Sequence, residues 1–205
     1  NEISELSKKG YTLTLSAMHG LPRTERDILA SIMEKPVDGI IVEGSNTALP
    51  NPNVTLYRRL KDMGIPVVFI HGTYDGLDDF VTVSTDDYHG GYNAVKYLYD
   101  RGYRSLFGIF KSVDRQGLAR YAGYLDALRD YSLPFSLNNV LWFVDNSQFI
   151  ELLRSGYVHN HMGDCNALIC YNDQIAYAFA KHFMAQGYAI PEDYATISFD
   201  NSLYA

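Results

Sequence analysis

The chain has 205 residues, a formal net charge of -7 and 47% hydrophobic residues. A chain of this length and apolar content can bury a core that suits one large domain or two small lobes. Its acidic balance and its lack of a basic cluster argue against a surface that grips a nucleic-acid backbone. No apolar run is long enough to cross a membrane.

The cysteines and the chain ends give weaker indications of context. Cys165 and Cys170 have no spacing typical of a zinc site or a redox motif. We therefore expect reduced thiols and a cytoplasmic setting. The chain begins at Asn1 without an initiator methionine or a signal peptide and closes just after an apolar run, which we interpret as a fragment of a longer protein.

In chain order, short apolar runs predict strands at 11–15, 39–42, 67–71, 81–84, 105–110, 140–144, 167–171 and 195–199. Helical periodicity between them predicts helices that begin near Thr24, Tyr88, Gln116 and Ser147. The first of these helices has a capping-box arrangement at 24–27 and is stopped by Pro36. Strands that alternate with helices predict stacked βαβ units in an α/β fold.

One local unit recurs along the chain, in which a helix is followed by glycine, by Tyr or Ile, and then by a strand. The glycines of this unit are Gly10, Gly64, Gly102 and Gly187. A glycine after a helix can adopt the left-handed conformation that closes the last turn. The strands that follow are short and apolar on both sides, as in parallel sheets covered on both faces.

Polar and charged side chains follow most of the predicted strands. They are Glu43 and Ser45, His71, Asp86 and Asp87, Lys111 with Asp114 and Arg115, Asn172 and Asp173, and Asp200 and Asn201. In an open parallel sheet, ligands bind outside the carboxyl ends of the strands. Carboxylates, amides and cations gathered at one edge suit a polyhydroxylated ligand, whose hydroxyls need paired donors and acceptors.

Helix capping is the structural alternative for several of these residues. Asn172 or Asp173 can cap the helix that follows, and Asp86 or Asp87 can do the same, each worth about 1 kcal/mol. Capping does not explain why most of the strands end in such groups. Trp142 is also open to two interpretations, because its ring could stack on a sugar or fill the core.

Motifs of catalysis are missing from the sequence. It contains no nucleophile elbow, no P-loop and no H-E-x-x-H pattern. We therefore predict a binding protein rather than an enzyme, with no metal ion and no cofactor.

Five segments together resemble the effector domain of GalR/LacI-type repressors. They are VDGIIVEGS (37–45), VSTDDYHGGYNAVKYLYDRGYR (83–104), RYAGYLDAL (120–128), CYNDQIA (170–176) and IPEDYATISFDN (190–201). The segments ALPNPN (48–53) and GIFKSVDRQG (108–117) are similar to the arabinose-repressor subgroup, in which a GntR-type winged helix precedes the domain.

The resemblance implies the type I fold of periplasmic sugar-binding proteins, with two doubly wound parallel-sheet lobes around a ligand cleft. It assigns residues 1–102 to the N-terminal lobe and 103–205 to the C-terminal lobe, both incomplete. The first strand, most of the first helix and everything after the Asp200 strand are expected to lie outside this chain.

The resemblance also implies effector contacts at positions that match the family. These are Asp86 before the Gly-Gly pair, Lys111 after GIF, Arg120 of the R-x-x-G motif, Asn172 of the Asn-Asp pair, and Asp200. With Trp142 they form the predicted ligand site, whereas Asp173 is expected to cap its helix. The alternative for Arg120 is a surface arginine paired with Asp86 or Asp200.

We therefore predict the sensing domain of a sugar-responsive repressor that binds a pentose such as L-arabinose and then releases its operator. The expected partners are the sugar, a second copy of the chain in a homodimer, and operator DNA through a head outside this chain, with no membrane. The alternative is the sugar-binding component of an ABC importer. An export signal upstream would favour the importer, and a winged helix or helix-turn-helix upstream would favour the repressor.

Overall fold

The computed structural model describes residues 6–205, in which helices and strands alternate. In chain order the elements are α1 (Pro22–Glu34), β1 (Ile40–Glu43), α2 (Val54–Asp62), β2 (Val67–Ile70), β3 (Val81–Val83), α3 (Asp87–Asp100), β4 (Leu106–Lys111), α4 (Arg115–Asp130), a 3-10 turn (Leu137–Asn139), β5 (Val140–Phe143), α5 (Asn146–Arg154), α6 (Tyr157–Met162), β6 (Ala167–Cys170), α7 (Asp173–Met184) and β7 (Ala195–Ile197). None of the described helices is long and apolar enough to cross a membrane.

The strands form two parallel sheets, and each sheet is the centre of one lobe. The first sheet has the order β1-β2-β3 and the second has the order β5-β4-β6-β7. We call residues 22–83 the first lobe and residues 87–197 the second lobe. Every strand pair is parallel, so the carboxyl ends of the strands lie at one edge of each sheet. This confirms the predicted α/β fold class.

The second sheet is covered on both faces, as a doubly wound sheet should be. Successive residues of β4 alternate between two cores: Phe107 and Ile109 pack on the α5 and α7 side, and Leu106 and Phe110 pack on the α3 and α4 side. Because β4 is buried on both faces, its sequence reads as a continuous apolar run. The first lobe has its own core around Phe69, between the sheet and the helices α1 and α2.

Seven of the eight predicted strands are confirmed, with ends shifted by up to two residues. The strand predicted at 11–15 is wrong, because those residues form no strand and are exposed, Leu15 by 86% of its surface. A strand exists only where a neighbour completes its hydrogen-bond ladder. None of the strands in residues 6–205 pairs with this segment.

The sequence signals for helix ends are confirmed only in part. The predicted capping box at 24–27 is wrong, because α1 begins at Pro22 and its N-terminus receives no side-chain cap. Proline is favoured in the first turn of a helix, since its missing N–H has no helical partner there. The four glycines after helices are confirmed in the left-handed region, at φ values of 83° for Gly10, 77° for Gly64, 91° for Gly102 and 95° for Gly187.

Helix α3 packs on the second lobe although it precedes residue 102. Its residues Ala94, Val95 and Leu98 belong to the same core as Leu106 of β4. The backbones of α3 and α4 touch, because a Cβ at Gly91 would lie 2.0 Å from the Arg120 carbonyl oxygen. The lobe division at residue 102 stays a prediction, and this packing favours a boundary before Asp87 instead.

Candidate functional site

Arg120 is the central charge at the carboxyl edge of the second sheet. It lies on α4 and is 3% exposed. Its Nη2 lies 2.8 Å from Asp87 Oδ1, and its Nε donates to the same oxygen at 2.9 Å. Asp87 is the first residue of α3, so the close contact between α3 and α4 brings the pair together. The alternative of a surface arginine is therefore wrong, and Arg120 forms no pair with Asp86.

Arg120 is surrounded by aromatic rings but keeps unused donors. Its Nη1 donates to the carbonyl oxygen of Tyr171, and its guanidinium carbon lies 4.1 Å from the centre of the Phe199 ring. A guanidinium has five N–H donors, and these contacts use three of them. Asp200 Oδ1 lies 3.9 Å from Nη2, too far for a hydrogen bond. A ligand hydroxyl could therefore bind between Arg120 and Asp200.

Lys111 and Asp114 extend this group along the end of β4. Lys111 Nζ lies 2.8 Å from Asp114 Oδ2, and the Tyr171 hydroxyl donates to the same oxygen at 3.0 Å. Burial and the nearby Asp114 carboxylate raise the pKa of Tyr171, so the hydroxyl keeps its proton and donates. Asp114 is 9% exposed, and its Oδ1 is buried without a hydrogen-bond partner among the described residues.

Asp200 lies on a loop that Asp173 holds in place. The Asp173 carboxylate accepts hydrogen bonds from the Ser198 hydroxyl and, at 2.6 Å, from the Ser202 N–H. Burial opposes ionisation of Asp173, yet these hydrogen bonds hold its pKa below the ordinary value. Asp173 therefore does not cap its helix as predicted. Asn172 does so instead, because its Oδ1 accepts from the Ile175 N–H at 3.1 Å.

The electrostatic surroundings of Asp200 include a group from the first lobe. Burial raises the pKa of the Asp200 carboxyl, and the Arg120 guanidinium opposes that shift. His71, which follows β2 in the first lobe, also lowers the pKa of Asp200. The Ala48 N–H after β1 donates to the Val113 carbonyl oxygen after β4 at 2.9 Å, so the carboxyl edges of the two sheets face each other across a cleft.

The contacts described above link six residues, which we call the connected group: Lys111, Asp114, Tyr171, Arg120, Asp87 and Asp200. Three predicted site residues lie outside it. Asp86 is exposed, caps α3 and contacts His89 Nδ1 at 2.7 Å, and the hydrogen bonds from His89 lower its pKa. Asn172 caps α7. The Trp142 ring packs in the second lobe at 4.8 Å from the Tyr121 ring centre, and no described contact joins it to Arg120.

The structure also adds residues that the predicted ligand site did not include. Asp87, Asp114 and Tyr171 contact the predicted residues directly, and His71 contributes to the electrostatic surroundings of Asp200. The polar strand ends were a usable signal for Asp87, Asp114 and His71. Tyr171 had no such signal, because its ring completes an apolar run. Residues 6–205 contain no group of three metal-ligating side chains.

The first lobe buries a charge of its own, at Glu25 on α1, which is 4% exposed. Its carboxylate accepts hydrogen bonds from the Tyr57 hydroxyl at 2.6 Å and from the Tyr74 hydroxyl at 3.0 Å. The side-chain amides of Asn51, at 2.9 Å, and Asn53, at 2.7 Å, donate to its other oxygen. This carboxylate ties α1 to the loops that follow β1 and β2.

Two parallel-sheet lobes with charged strand ends that face a common cleft define a two-lobe ligand-binding domain of the type I periplasmic-binding-protein fold. The family model described as "Periplasmic binding proteins and sugar binding domain of LacI family" matches residues 3–202. The chain belongs to this family.

The curated relatives include two proteins named arabinose metabolism transcriptional repressor. One, from Halalkalibacterium halodurans, is 28% identical over 97% of this chain and 53% of its own length. The other, from Geobacillus stearothermophilus, is 28% identical over 98% of this chain and 56% of its own length. The chain therefore spans about half the length of these relatives.

Solved structures of regulators share the fold. The transcription regulator CcpA of Lactococcus lactis superposes with a TM-score of 0.78 at 26% identity, over 96% of this chain and 70% of its own. A periplasmic binding protein/LacI regulator from Alkaliphilus metalliredigens, complexed with D-xylulofuranose, has a TM-score of 0.76 at 25% identity, over 97% of this chain and 70% of its own.

Proposed function

We propose that this chain is the effector-sensing domain of a transcriptional repressor and that an aldopentose such as L-arabinose binds between its lobes. The connected group at the cleft carries the proposal, because it alternates donors with acceptors. Lys111 and Arg120 donate, and Asp114 and Asp200 accept. Neighbouring hydroxyls of a sugar each donate and accept, so they match this alternation.

The relatives support the choice of a five-carbon sugar. Two relatives at 28% identity are named for arabinose metabolism, and one solved relative at 25% identity holds D-xylulofuranose, which is also a five-carbon sugar. The curated relatives also include proteins named HTH-type transcriptional repressor PurR, such as one from Vibrio parahaemolyticus at 29% identity, so sugars have to be tested against a ligand of another class.

The proposed roles follow from the hydrogen-bonding capacity of each side chain. Arg120 donates its remaining N–H groups to two sugar hydroxyls, and the Asp114 and Asp200 carboxylates accept from hydroxyls on either side. Lys111 adds a donor next to Asp114. The Asn172 side-chain amide also remains in this proposal, whereas Asp86 and Trp142 are weaker members, since neither contacts the group.

Calorimetry tests the sugar directly. The protein is titrated with L-arabinose, D-xylose, D-ribose, D-galactose and a purine base. We expect heat from one or more pentoses and a weaker response to the six-carbon sugar. Heat from the purine alone, with no response to any sugar, would overturn the proposal.

The proposed consequence of binding is release of DNA. A ligand shifts an equilibrium between two states only by binding one of them better. A sugar bound between the lobes favours one lobe orientation, which changes the spacing of the two DNA-binding heads in a cytoplasmic homodimer. We expect the sugar to weaken operator binding by about 1–3 kcal/mol of coupling. Gel shifts of the full-length protein with and without sugar measure it.

The importer alternative rests on the same architecture, since the matching family also contains periplasmic binding proteins. Operator binding that is unchanged at saturating sugar would favour the importer over the repressor. An upstream export signal would favour it as well, whereas an upstream DNA-binding head would favour the repressor.

A further inference from the structure

The N-terminus of α4 is capped from the other lobe. Three other helices are capped by the side chain that precedes them, namely α3 by Asp86, α5 by Asp145 and α7 by Asn172. Asp114 occupies the same position before α4 but makes no capping hydrogen bond. Instead, the first N–H of α4, at Arg115, donates to the Thr47 hydroxyl of the first lobe at 3.0 Å.

Thr47 is fixed for this contact by the end of the first sheet. It lies in the loop after β1 and is 5% exposed. A Cβ at Gly44 would lie 2.7 Å from Thr47 Cγ2, so only glycine leaves room for the threonine there. The adjacent Ala48 N–H donates across the cleft to the Val113 carbonyl oxygen at 2.9 Å.

Arg115 strengthens the same contact between the lobes. Its Nε donates to the Thr47 carbonyl oxygen at 3.3 Å, and its Nη2 forms an ion pair with Asp75 of the first lobe. The Asp75 side chain is 80% exposed, so this pair contributes little by itself. Thr47 is only 5% exposed, so its hydroxyl forms the buried part of this contact.

Because Thr47 satisfies the helix end, Asp114 can turn its carboxylate toward the cleft. There it meets Lys111 and the Tyr171 hydroxyl, and its Oδ1 stays buried without a partner among the described residues. An aspartate before a helix normally accepts a hydrogen bond from the N–H groups of the first turn. Asp114 therefore has two competing positions, at the helix end or at the cleft.

We infer that Thr47 is a positioning residue for the effector site: it caps α4 from the first lobe in the closed state, which leaves Asp114 free to face the effector. Opening the lobes withdraws the threonine, and Asp114 returns to its own helix end. The Thr47 hydroxyl thereby couples lobe closure to the position of Asp114 in the effector site. The role of Asp114 in this inference rests on the proposed function, whereas the effect of Thr47 on closure does not.

Three variants of the full-length protein measure the contribution of the Thr47 hydroxyl. Thr47→Val removes it at nearly constant volume, and Thr47→Ser restores it. Thr73→Val is the matched control, since the Thr73 hydroxyl is also buried in the first lobe but has no partner among the described residues. Calorimetry with L-arabinose and D-xylose gives affinity, and thermal unfolding gives stability.

A second measurement follows closure without a ligand. Spin labels placed by Met63→Cys and Met184→Cys, one exposed site in each lobe, report the distance between the lobes. The native Cys165 and Cys170 are buried and should not take the label. In the ligand-free protein, Thr47→Val should lengthen or broaden the distance distribution, and Thr47→Ser should return it to that of the wild type.

Thr47→Val should weaken sugar binding about two- to tenfold, as loss of one hydrogen bond predicts, and Thr47→Ser should restore it while Thr73→Val leaves it unchanged. A Thr47→Val variant that is merely less stable, with wild-type affinity, overturns the inference. If the wild type binds no sugar, the proposed function fails, and the spin-label distances alone then decide whether Thr47 controls closure.

Discussion

The first lobe buries the charge of Glu25, and the second lobe buries several charged side chains with Arg120 at their centre. Glu25 and Arg120 differ in what they leave unsatisfied. Glu25 in the first lobe accepts from two tyrosine hydroxyls and two asparagine amides, which fills the lone pairs of its carboxylate. Arg120 in the second lobe uses three of its five N–H groups and faces Asp200 at a distance that no hydrogen bond spans.

The comparison shows how a structural charge can be told from a binding charge. A buried charge whose hydrogen-bonding capacity is full has nothing to offer a ligand, and it can only hold its neighbours in place. A buried charge with unused donors next to an unpaired acceptor is complete only when a ligand binds. By this criterion we expect Glu25 to be structural and Arg120 to bind the ligand.

The largest expected effect is at the buried ion pair. Arg120→Met leaves the Asp87 carboxylate buried without its partner, and we expect a loss of about 3–5 kcal/mol in the free energy of unfolding, together with loss of sugar binding. The Arg120→Met/Asp87→Leu double variant should recover most of that stability, because both charges are then replaced by apolar groups. Denaturant unfolding and calorimetry measure the two properties.

Sugar binding by the double variant distinguishes a structural role of Arg120 from a role in ligand binding. The double variant should fold well and still fail to bind sugar, because the donors are gone. If it bound sugar as the wild type does, Arg120 would be a structural charge like Glu25, and the contrast between the lobes would disappear.

The second prediction concerns the Glu25 carboxylate, whose oxygens already accept hydrogen bonds from four side chains. Glu25→Gln turns one acceptor oxygen into a donor that faces other donors, so we expect unfolding to be easier by about 2–3 kcal/mol. Sugar affinity of the folded protein should stay that of the wild type. Glu34→Gln, at the exposed end of the same helix, is the control and should change stability by less than about 0.5 kcal/mol. A weakened affinity in Glu25→Gln at unchanged stability would place Glu25 in the binding site.

The fold was largely predictable because its signals are local. Short apolar runs and glycines after helices depend on neighbouring residues, and they located seven strands and the ends of α2, α3 and α7. The strand predicted at 11–15 failed, because pairing depends on a partner that is distant in sequence. The capping box failed because Pro22 begins the helix two residues earlier, which places Thr24 inside the first turn rather than at the cap.

The site was predictable as a set of strand ends but not residue by residue. Asp86 and Asp87 are adjacent in sequence, yet one caps the helix in solvent and the other is buried against Arg120. Successive helical residues point about 100° apart, so an assignment that is wrong by one residue selects a different environment. Thr47 had no sequence signal, because the helix that it caps begins on the other lobe.

The third prediction concerns pH and Asp200, whose pKa is raised in the ligand-free protein. A sugar hydroxyl that donates to the carboxylate favours the ionised form, so binding should lower this pKa and release a proton. Affinity should then increase as pH rises through the raised pKa, by at most about tenfold per pH unit for one proton. Calorimetry at several pH values, in buffers with different ionisation enthalpies, measures both effects.

Asp200→Asn is the control for that titration, since the amide has no ionisation in this range. Its affinity should be lower and independent of pH. A wild-type affinity that is also flat over the same range would show that Asp200 does not accept from the ligand, and the cleft would then depend on Arg120 and Asp114.

The smallest expected effect tests whether Asn172 is structural, like Glu25, or also binds ligand. Its Oδ1 caps α7, and its NH₂ group is left to donate to the sugar. Asn172→Ala should cost about 1 kcal/mol of stability, and Asn172→Asp should keep the cap, because both side chains present a capping oxygen. If the amide also donates to the sugar, Asn172→Asp should bind it more weakly at nearly unchanged stability.

The control is Asp145→Ala, which removes the equivalent cap of α5, so it should lower stability by a similar amount and leave affinity unchanged. Wild-type affinity in Asn172→Asp would assign Asn172 to the helix alone.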